Sequence, residues 1–190
     1  MKIQLDWLKE YVDFDVSAEE LGQLLTMAGL EIEGQETVEL GDGTKTEVLE
    51  LNVTPNRGYC LSYFGVAREV AALMNKNYKY PDYEPELKEN WGPSLVEGKL
   101  SIDNRVPELC LRYSGMLIED VKIGPSPKWL VDRLTSLGFR SVNNIVDITN
   151  FVLMEYGQPL HAFDKDLLDG SEIIVRRALK GEAFTSLDGI

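Results

Sequence analysis

The sequence predicts an α+β fold, in which helices and strands follow one another in two successive blocks. Three observations support this prediction: helical segments with recognisable capping residues, two alternating strands joined by a Gly-rich turn, and a Pro- and Tyr-rich segment between the blocks. The chain has 190 residues, of which 44% are hydrophobic and 27% charged, as is typical of globular proteins. We therefore expect folded domains.

Two helices are predicted at the start of the first block. In residues 5–12, LDWLKEYV, apolar residues recur at helical spacing and predict a short amphipathic helix. In the next segment Ser17 stands three residues before Glu20, which is the spacing of a capping box, and Gly29 marks the helix end. The stripe of this helix that we expect to be buried consists of Leu21, Leu24 and Leu25.

A hairpin and a third helix complete the first block. Residues 30–40 and 46–54 alternate apolar and acidic side chains, and GDGTK between them is typical of a tight turn, so the pair predicts two strands of a hairpin. The segment SYFGVAREVAALMN then predicts a helix. Its buried face is expected to carry Val66, Val70 and Leu73.

The second block follows a predicted linker, residues 85–98, because the chain there has no steady hydrophobic period. GKLSIDN and LRYSGMLIEDVKIG predict strands. SPKWLVDRLTSLG predicts a helix with Ser126 as its N-cap and Pro127 at its first position.

The last predicted helix ends at Gly157, and EIIVRRA after it predicts a short strand. The apolar residues at three- and four-residue steps along this helix are Val142, Ile145, Ile148, Val152 and Tyr156. Three aromatic residues at helical spacing are expected in the core rather than on a base-stacking surface: Trp7, Tyr11 and Trp129.

Composition narrows the possible functions. The formal net charge of −13 opposes nucleic-acid binding, because such binding depends on Lys and Arg neutralising phosphates. No apolar run approaches the roughly 20 residues of a membrane span, and the amino terminus lacks the features of a signal peptide, so we expect a cytoplasmic protein. Cys60 and Cys110 show no metal-ligand spacing and are expected to be free and buried.

Several long strings resemble the β subunit of bacterial phenylalanyl-tRNA synthetase, in that family's order. They are WLKEYVDFDVSAEELGQLLTMAGLEIEG, LELNVTPNRGYCLSYFGVAREVAAL and the stretch from RYSGMLIEDVKIG to VNNIVDITNFVLMEYGQPLHAFD, followed by IIVRRA and SLDG. The resemblance implies a winged-helix-like amino-terminal domain, residues 1–84. After the linker it implies the first half of a mixed α+β editing domain, residues 99–190. The tRNA-binding barrel that most members insert is absent near residues 37–46.

What the resemblance implies for function is hydrolytic editing of tyrosyl-tRNA(Phe), together with a contribution to aminoacylation in the whole enzyme. The partners it implies are the α subunit, in a tetramer of two α and two β chains, and tRNA(Phe), which this acidic chain should bind weakly alone. ATP and magnesium are expected for the whole synthetase, and no cofactor or metal is expected in this chain.

The resemblance also implies site residues. His161, the only histidine in the chain, takes the catalytic role, since an imidazole can exchange a proton near neutral pH. Three residues are implied to bind the substrate: Asn150, Thr149 and Gln158. Asp147 and Asp164 are candidates for orienting the imidazole.

Taken without the resemblance, the same residues have structural interpretations. A lone histidine is more often exposed or structural than catalytic. Asn150 could satisfy backbone groups near a helix end, and Asp147 and Asp164 could be caps or solvated charges.

Two hypotheses of different class follow. The chain carries part of the hydrolytic editing site of a synthetase, or it is a non-catalytic structural or docking module derived from that subunit. A third hypothesis, DNA binding through the winged-helix-like block, is disfavoured by the net charge.

Overall fold

The structure, a computed structural model, describes residues 1–80 and 98–185. Helices and short strands are mixed along the chain, which confirms the predicted α+β class. The strands are β1 (Lys2–Gln4), β2 (Ile32–Glu39), β3 (Lys45–Leu51), β4 (Ser101–Asn104) and β5 (Glu172–Val175). The α-helices are α1 (Leu5–Leu8), α2 (Ala18–Met27), α3 (Tyr63–Leu73), α4 (Lys128–Ser136) and α5 (Asn144–Tyr156). Short 3₁₀ helices span Pro55–Cys60, Lys165–Leu167 and Asp169–Ser171.

The chain divides into two compact units. Residues 1–83 and 122–162 form unit 1, and residues 84–121 and 163–190 form unit 2. This grouping differs from the sequence blocks, because α4 and α5 lie with the amino-terminal elements although they follow the predicted linker. The linker itself, residues 85–98, falls almost entirely outside the described residues.

The sheet of unit 1 is antiparallel, with the strand order β1-β3-β2. It confirms the predicted hairpin, in which Gln35 of β2 pairs with Leu49 of β3. In the turn between these strands, the Asp42 carboxylate accepts a hydrogen bond from the Thr44 backbone N–H at 2.9 Å, and Gly43 has a φ of 82°. The turn chemistry therefore fixes the hairpin register locally.

Local signals placed α2 correctly. The Ser17 side chain accepts from the Glu20 N–H at 3.2 Å, and Glu20 accepts in return from the Ser17 N–H at 2.9 Å, so the predicted capping box is present. Gly29, with a φ of 87°, follows the helix end. The predicted stripe is wrong at one position: Leu21 and Leu25 are fully buried, whereas Leu24 is 39% exposed.

Helices α1 and α3 are also found close to their predicted positions. The first is only one turn long, but both Trp7 and Tyr11 are buried as predicted. In α3, Val66 and Val70 are fully buried, while Leu73 lies at the helix end and is 39% exposed, contrary to the prediction.

Helix α4 begins one residue later than its sequence suggests. Pro127 is the N-cap and makes no side-chain cap hydrogen bond, so the prediction of Ser126 as N-cap is wrong. The Ser126 hydroxyl donates instead to the Asp147 carboxylate at 2.5 Å. On the same helix, Trp129 is 52% exposed rather than in the core.

The predicted apolar stripe of α5 is not the face that the helix buries. Its buried residues are Asp147, Met154 and Glu155, whereas Val142 just before the helix is 64% exposed and Ile148 is 48% exposed. Two aromatic residues of the helix pack on the amino-terminal elements: Phe151 stacks on Trp7 of α1, with 4.8 Å between ring centroids, and Tyr156 of the predicted stripe packs against Phe64 of α3.

In unit 2, β4 and β5 form a parallel pair, in which Ile102 pairs with Ile173. This confirms the strands predicted from GKLSIDN and EIIVRRA. The strand predicted for residues 111–124 is wrong, because that segment is irregular. Alternating residues become a strand only where a neighbour pairs with their backbone, and within the described residues this segment belongs to neither sheet.

Both cysteines are free. Cys60 is fully buried, as predicted, whereas Cys110 is partly exposed, contrary to the prediction. Among the helices of the described residues, none has the length and apolar character that crossing a membrane requires.

Candidate active site

Helix α5 carries the first two candidate substrate-binding residues. Its N-cap is Asn143, whose side-chain oxygen accepts from the Ile145 and Val146 N–H groups, each at 3.0 Å. Thr149 and Asn150 lie in the middle of the helix and are half-buried. Each is therefore held on a regular element and remains partly accessible.

Thr149 uses its hydroxyl locally. Its Oγ1 donates to the Val146 carbonyl at 2.7 Å, a common arrangement for Thr within a helix. This contact leaves the oxygen able to accept a hydrogen bond, because a hydroxyl has two acceptor lone pairs besides its proton.

Asp147 anchors the start of α5. Its carboxylate accepts from the hydroxyls of Ser126 at 2.5 Å and Ser141 at 2.6 Å, and from the Val142 N–H at 3.0 Å. The residue is fully buried. Burial alone would raise the pKa of Asp147, but these hydrogen bonds outweigh burial and hold the pKa below its ordinary value. These are the contacts of a buried structural carboxylate, and a role in orienting His161 stays a prediction.

The other two residues follow α5 directly. Gly157 ends the helix in the left-handed conformation, with a φ of 76°, and the irregular segment after it contains Gln158 and His161. Both residues are exposed, and the Gln158 amide donates to the Pro159 carbonyl at 3.2 Å. Within unit 1, the four candidate catalytic and substrate-binding residues thus belong to one helix and the segment that immediately follows it.

Asp164 is placed differently. It lies in unit 2, where its side chain accepts from the Asp166 N–H at 3.1 Å and caps the 3₁₀ helix Lys165–Leu167. It is exposed. Its described contact is that of a cap, and a role beside His161 stays a prediction.

The sequence analysis missed a pair of buried polar residues next to the candidate site. The Tyr11 hydroxyl donates to the Glu155 carboxylate, and it accepts from the Trp7 indole N–H at 2.9 Å. Glu155 is only 3% exposed. The signal was a single acidic residue in the otherwise apolar string FVLMEY, since a carboxylate at such a position needs a hydrogen-bond partner.

A second missed feature is the aromatic surround of Arg133 on α4. Its guanidinium lies 5.2 Å from the ring centroid of Trp7, 5.3 Å from that of Trp129 and 5.9 Å from that of Phe151. It also forms an ion pair with Glu10. Arg133 therefore connects α4 to α1, through Trp7, and to α5, through Phe151, which directly follows Asn150.

A cleft of about 310 Å³ opens beside this cluster. It is lined by Glu10, Tyr11, Lys79, Tyr80, Arg133, Phe151 and Glu155. The residues predicted for substrate binding are not part of its wall. Residues 1–80 and 98–185 contain no group of three or more His, Cys, Asp or Glu side chains that could hold a metal ion.

Comparison with known proteins gives the family. The family model of the B3/4 domain matches residues 109–190. Phenylalanine–tRNA ligase beta subunits from three bacteria are similar over most of the chain. The Geobacter sulfurreducens protein is 52% identical over 147 residues, which are 77% of this chain and 18% of that protein. The Carboxydothermus hydrogenoformans protein is 57% identical over 143 residues, 75% of this chain and 17% of that protein.

A third relative is matched almost from end to end of this chain. The Rhodopirellula baltica beta subunit is 43% identical over 188 residues, which are 99% of this chain and 26% of that protein. The chain thus spans between 17% and 26% of the length of these three relatives. The resemblance seen in the sequence motifs is confirmed, and the chain belongs to the family of phenylalanine–tRNA ligase beta subunits.

Proposed function

We propose that this chain contributes the hydrolytic editing site of a phenylalanine–tRNA ligase, at which tyrosine is removed from mischarged tRNA(Phe). One observation supports this proposal: in a chain of this family, the candidate residues lie on a single helix and on the segment that directly follows it. Thr149 and Asn150 on α5 are followed by Gln158 and His161 in the segment that leaves the helix.

Editing answers a physical limit on selectivity. A hydrophobic pocket that accepts phenylalanine rejects an added hydroxyl by only about a hundredfold, so a second, hydrolytic site is needed to remove tyrosine. Cleavage of the aminoacyl ester then requires a water made nucleophilic by loss of a proton, and hydrogen-bond donors for the oxyanion that forms.

The chemistry of the candidate residues suits these tasks. His161 is exposed, and its imidazole is the group to take a proton from the attacking water. Asn150 offers both an amide N–H₂ and a carbonyl oxygen, and Thr149 offers a hydroxyl, so they are suited to the ester carbonyl and the terminal ribose. Gln158, beside the helix end, supplies a further amide.

The remaining parts of the reaction belong to the whole enzyme in this proposal. Aminoacylation takes place with the α subunit, in a tetramer of two α and two β chains, and uses ATP and magnesium bound outside these residues. The formal charge of −13 makes binding of tRNA(Phe) by this chain alone weak.

A docking role is the second candidate function, favoured by the apolar surface of unit 2. Leu111 is 91% exposed, Ile118 68% and Leu167 81%. Exposed large apolar residues mark an interface where they form a contiguous patch. In this case the chain helps to assemble the synthetase and hydrolyses nothing.

Hydrolysis of tyrosyl-tRNA(Phe) by the purified chain tests the editing proposal. We expect the chain to release tyrosine from tyrosyl-tRNA(Phe) faster than it releases phenylalanine from phenylalanyl-tRNA(Phe). His161→Ala should lower the rate by about 10² to 10⁴, which is the usual contribution of a general base. Leu160→Ala, a change of the neighbouring and also exposed side chain, is the matched control and should keep the activity.

The docking role makes the opposite prediction. Two results would contradict editing by this chain and favour docking. In the first, the folded wild-type chain releases tyrosine from tyrosyl-tRNA(Phe) no faster than the uncatalysed rate. In the second, wild type and His161→Ala release it equally fast.

A further inference from the structure

A buried hydrogen bond joins the last turn of α5 to Tyr11, which lies just after α1 in unit 1. The Tyr11 hydroxyl donates to Glu155, and the two residues are 4% and 3% exposed. Burial raises the pKa of Tyr11 well above its ordinary value, and the hydrogen bond to Glu155 raises it further. Tyr11 is therefore protonated at neutral pH and can donate this hydrogen bond.

Two more contacts hold the same turn. The ring of Tyr156 packs against Phe64 of α3, with 4.7 Å between ring centroids. Gly157 lies so close to the loop before α3 that an added Cβ would come within 3.3 Å of the Ser62 Cβ. The end of α5, from which the segment with His161 departs, is thus packed tightly on the amino-terminal elements.

We propose that Tyr11 and Glu155 are positioning residues for the editing reaction, which makes the amino-terminal elements of unit 1 part of the editing machinery. This inference rests on the proposed function, since it concerns where the same site is held. Glu155 stands two residues before Gly157, and the direction in which the chain leaves α5 sets the place of His161.

The physical basis is the cost of weakening a buried polar contact. Without the Tyr11 hydroxyl, a buried carboxylate has one hydrogen bond fewer, and Glu155 gains by moving toward other donors or toward water. Such a movement shifts the helix end. A misplacement of about 1 Å at a distance from the chemistry can lower a rate by roughly a hundredfold.

Tyr11→Phe tests this, with Tyr63→Phe as the matched control. Tyr63 is also buried, and its hydroxyl accepts from the Gln4 N–H at 2.7 Å, so the control removes a buried hydroxyl whose described hydrogen bond goes to Gln4 and not to α5. Because His161 is the only histidine, an NMR spectrum of the untagged chain contains one imidazole Cε1–Hε1 cross-peak that reports directly on the site.

We expect both variants to lower the urea midpoint of unfolding, and only Tyr11→Phe to displace or broaden the His161 cross-peak. The rate of tyrosine release should fall at least about tenfold in Tyr11→Phe and stay near the wild-type rate in Tyr63→Phe. Glu155→Gln, which keeps an oxygen for the Tyr11 hydroxyl, should disturb the cross-peak less than Glu155→Ala.

The two proposals fail separately. An unmoved cross-peak in a folded Tyr11→Phe chain, or an equal displacement in Tyr63→Phe, would overturn the positioning role whatever the activity. A cross-peak displaced only in Tyr11→Phe would support the proposal that the contact between Tyr11 and Glu155 sets the position of His161. If the wild-type chain then released no tyrosine, the editing proposal would fail, and Tyr11 and Glu155 would still fix the place of His161 without serving that reaction.

Discussion

The two compact units of the chain contain similar kinds of residues but differ sharply in what they bury. All the buried residues of the described part lie in unit 1, from Ile3 in β1 to Glu155 in α5. In the described part of unit 2 no residue is buried, and large apolar side chains such as Leu111 and Phe184 are 91% and 87% exposed.

The difference shows which contacts can stabilise each unit. Burial of apolar surface contributes most of the favourable free energy of folding, so the stability of unit 1 comes from its core. The described part of unit 2 has a single two-stranded sheet, which is marginal as an isolated structure in water, and ion pairs at its surface. Matched substitutions in the two units therefore measure how far their stabilities differ.

The largest expected effect comes from the same leucine truncation in each unit. Leu21→Ala removes a fully buried side chain of α2 and should lower the free energy of unfolding by about 2–5 kcal/mol. Leu111→Ala removes an exposed side chain of unit 2 and should change it by less than about 0.5 kcal/mol. Urea unfolding followed by tryptophan fluorescence measures both.

A large loss on Leu111→Ala would break the comparison. It would mean that residue 111 is buried in solution, for instance against a second copy of the chain, and its size should then depend on protein concentration.

Two aspartates give the next largest difference. Asp147→Asn replaces a fully buried carboxylate that accepts three hydrogen bonds, and we expect a loss of about 1–3 kcal/mol, because an amide N–H₂ would face groups that donate. Asp164→Asn alters an exposed cap in unit 2 and should cost less than about 0.5 kcal/mol. Thermal unfolding at neutral pH compares them.

The pH dependence of Asp147→Asn provides a further check. Since the folded-state pKa of Asp147 lies below its ordinary value, the stabilisation by the carboxylate is complete above about pH 4 and is lost as the pH falls through the folded-state pKa. The difference in unfolding free energy between wild type and variant should therefore shrink on acidification below about pH 4. A difference that grew on acidification would contradict the assigned direction.

The same contrast explains what the sequence could predict. Most signals that act within a few residues were found as predicted, such as the capping box of Ser17 and Glu20 and the helix ends at Gly29 and Gly157. The N-cap predicted at Ser126 was wrong by one residue. Leu24 and the segment 111–124 were predicted wrongly, because their burial or pairing depends on which element lies opposite. Local patterns specify elements, and tertiary partners decide which faces are covered.

The candidate site divides in a similar way. Asn150 and His161 came from the family resemblance, and the prediction that a helix and its following segment carry them agrees with the observed end of α5. The contact between Tyr11 and Glu155 could not be predicted, since the two residues are far apart in the sequence and no local pattern relates them. Glu155 in an apolar string indicates only that some partner exists.

The smallest expected difference in stability between the two units comes from Arg→Lys substitutions at Arg133 and Arg176. Arg133 in unit 1 lies over the rings of Trp7, Trp129 and Phe151, and a planar guanidinium stacks on rings in a way that an ammonium does not. Arg133→Lys should therefore lower the free energy of unfolding by about 1 kcal/mol. Arg176 in unit 2 forms a two-bond ion pair with Glu182 at the surface, and Arg176→Lys should leave the unfolding midpoint unchanged within error.

Salt distinguishes stacking from simple charge attraction at Arg133. If ring contacts provide most of the effect, the loss on Arg133→Lys should persist in about 1 M salt, because the Debye length there is about 3 Å and exposed ion pairs are screened. Disappearance of the loss in salt would assign it to the partly exposed ion pair with Glu10 instead. In that case Arg133 and Arg176 would be alike in their energetics, and the contrast between the two units would rest on their apolar side chains alone.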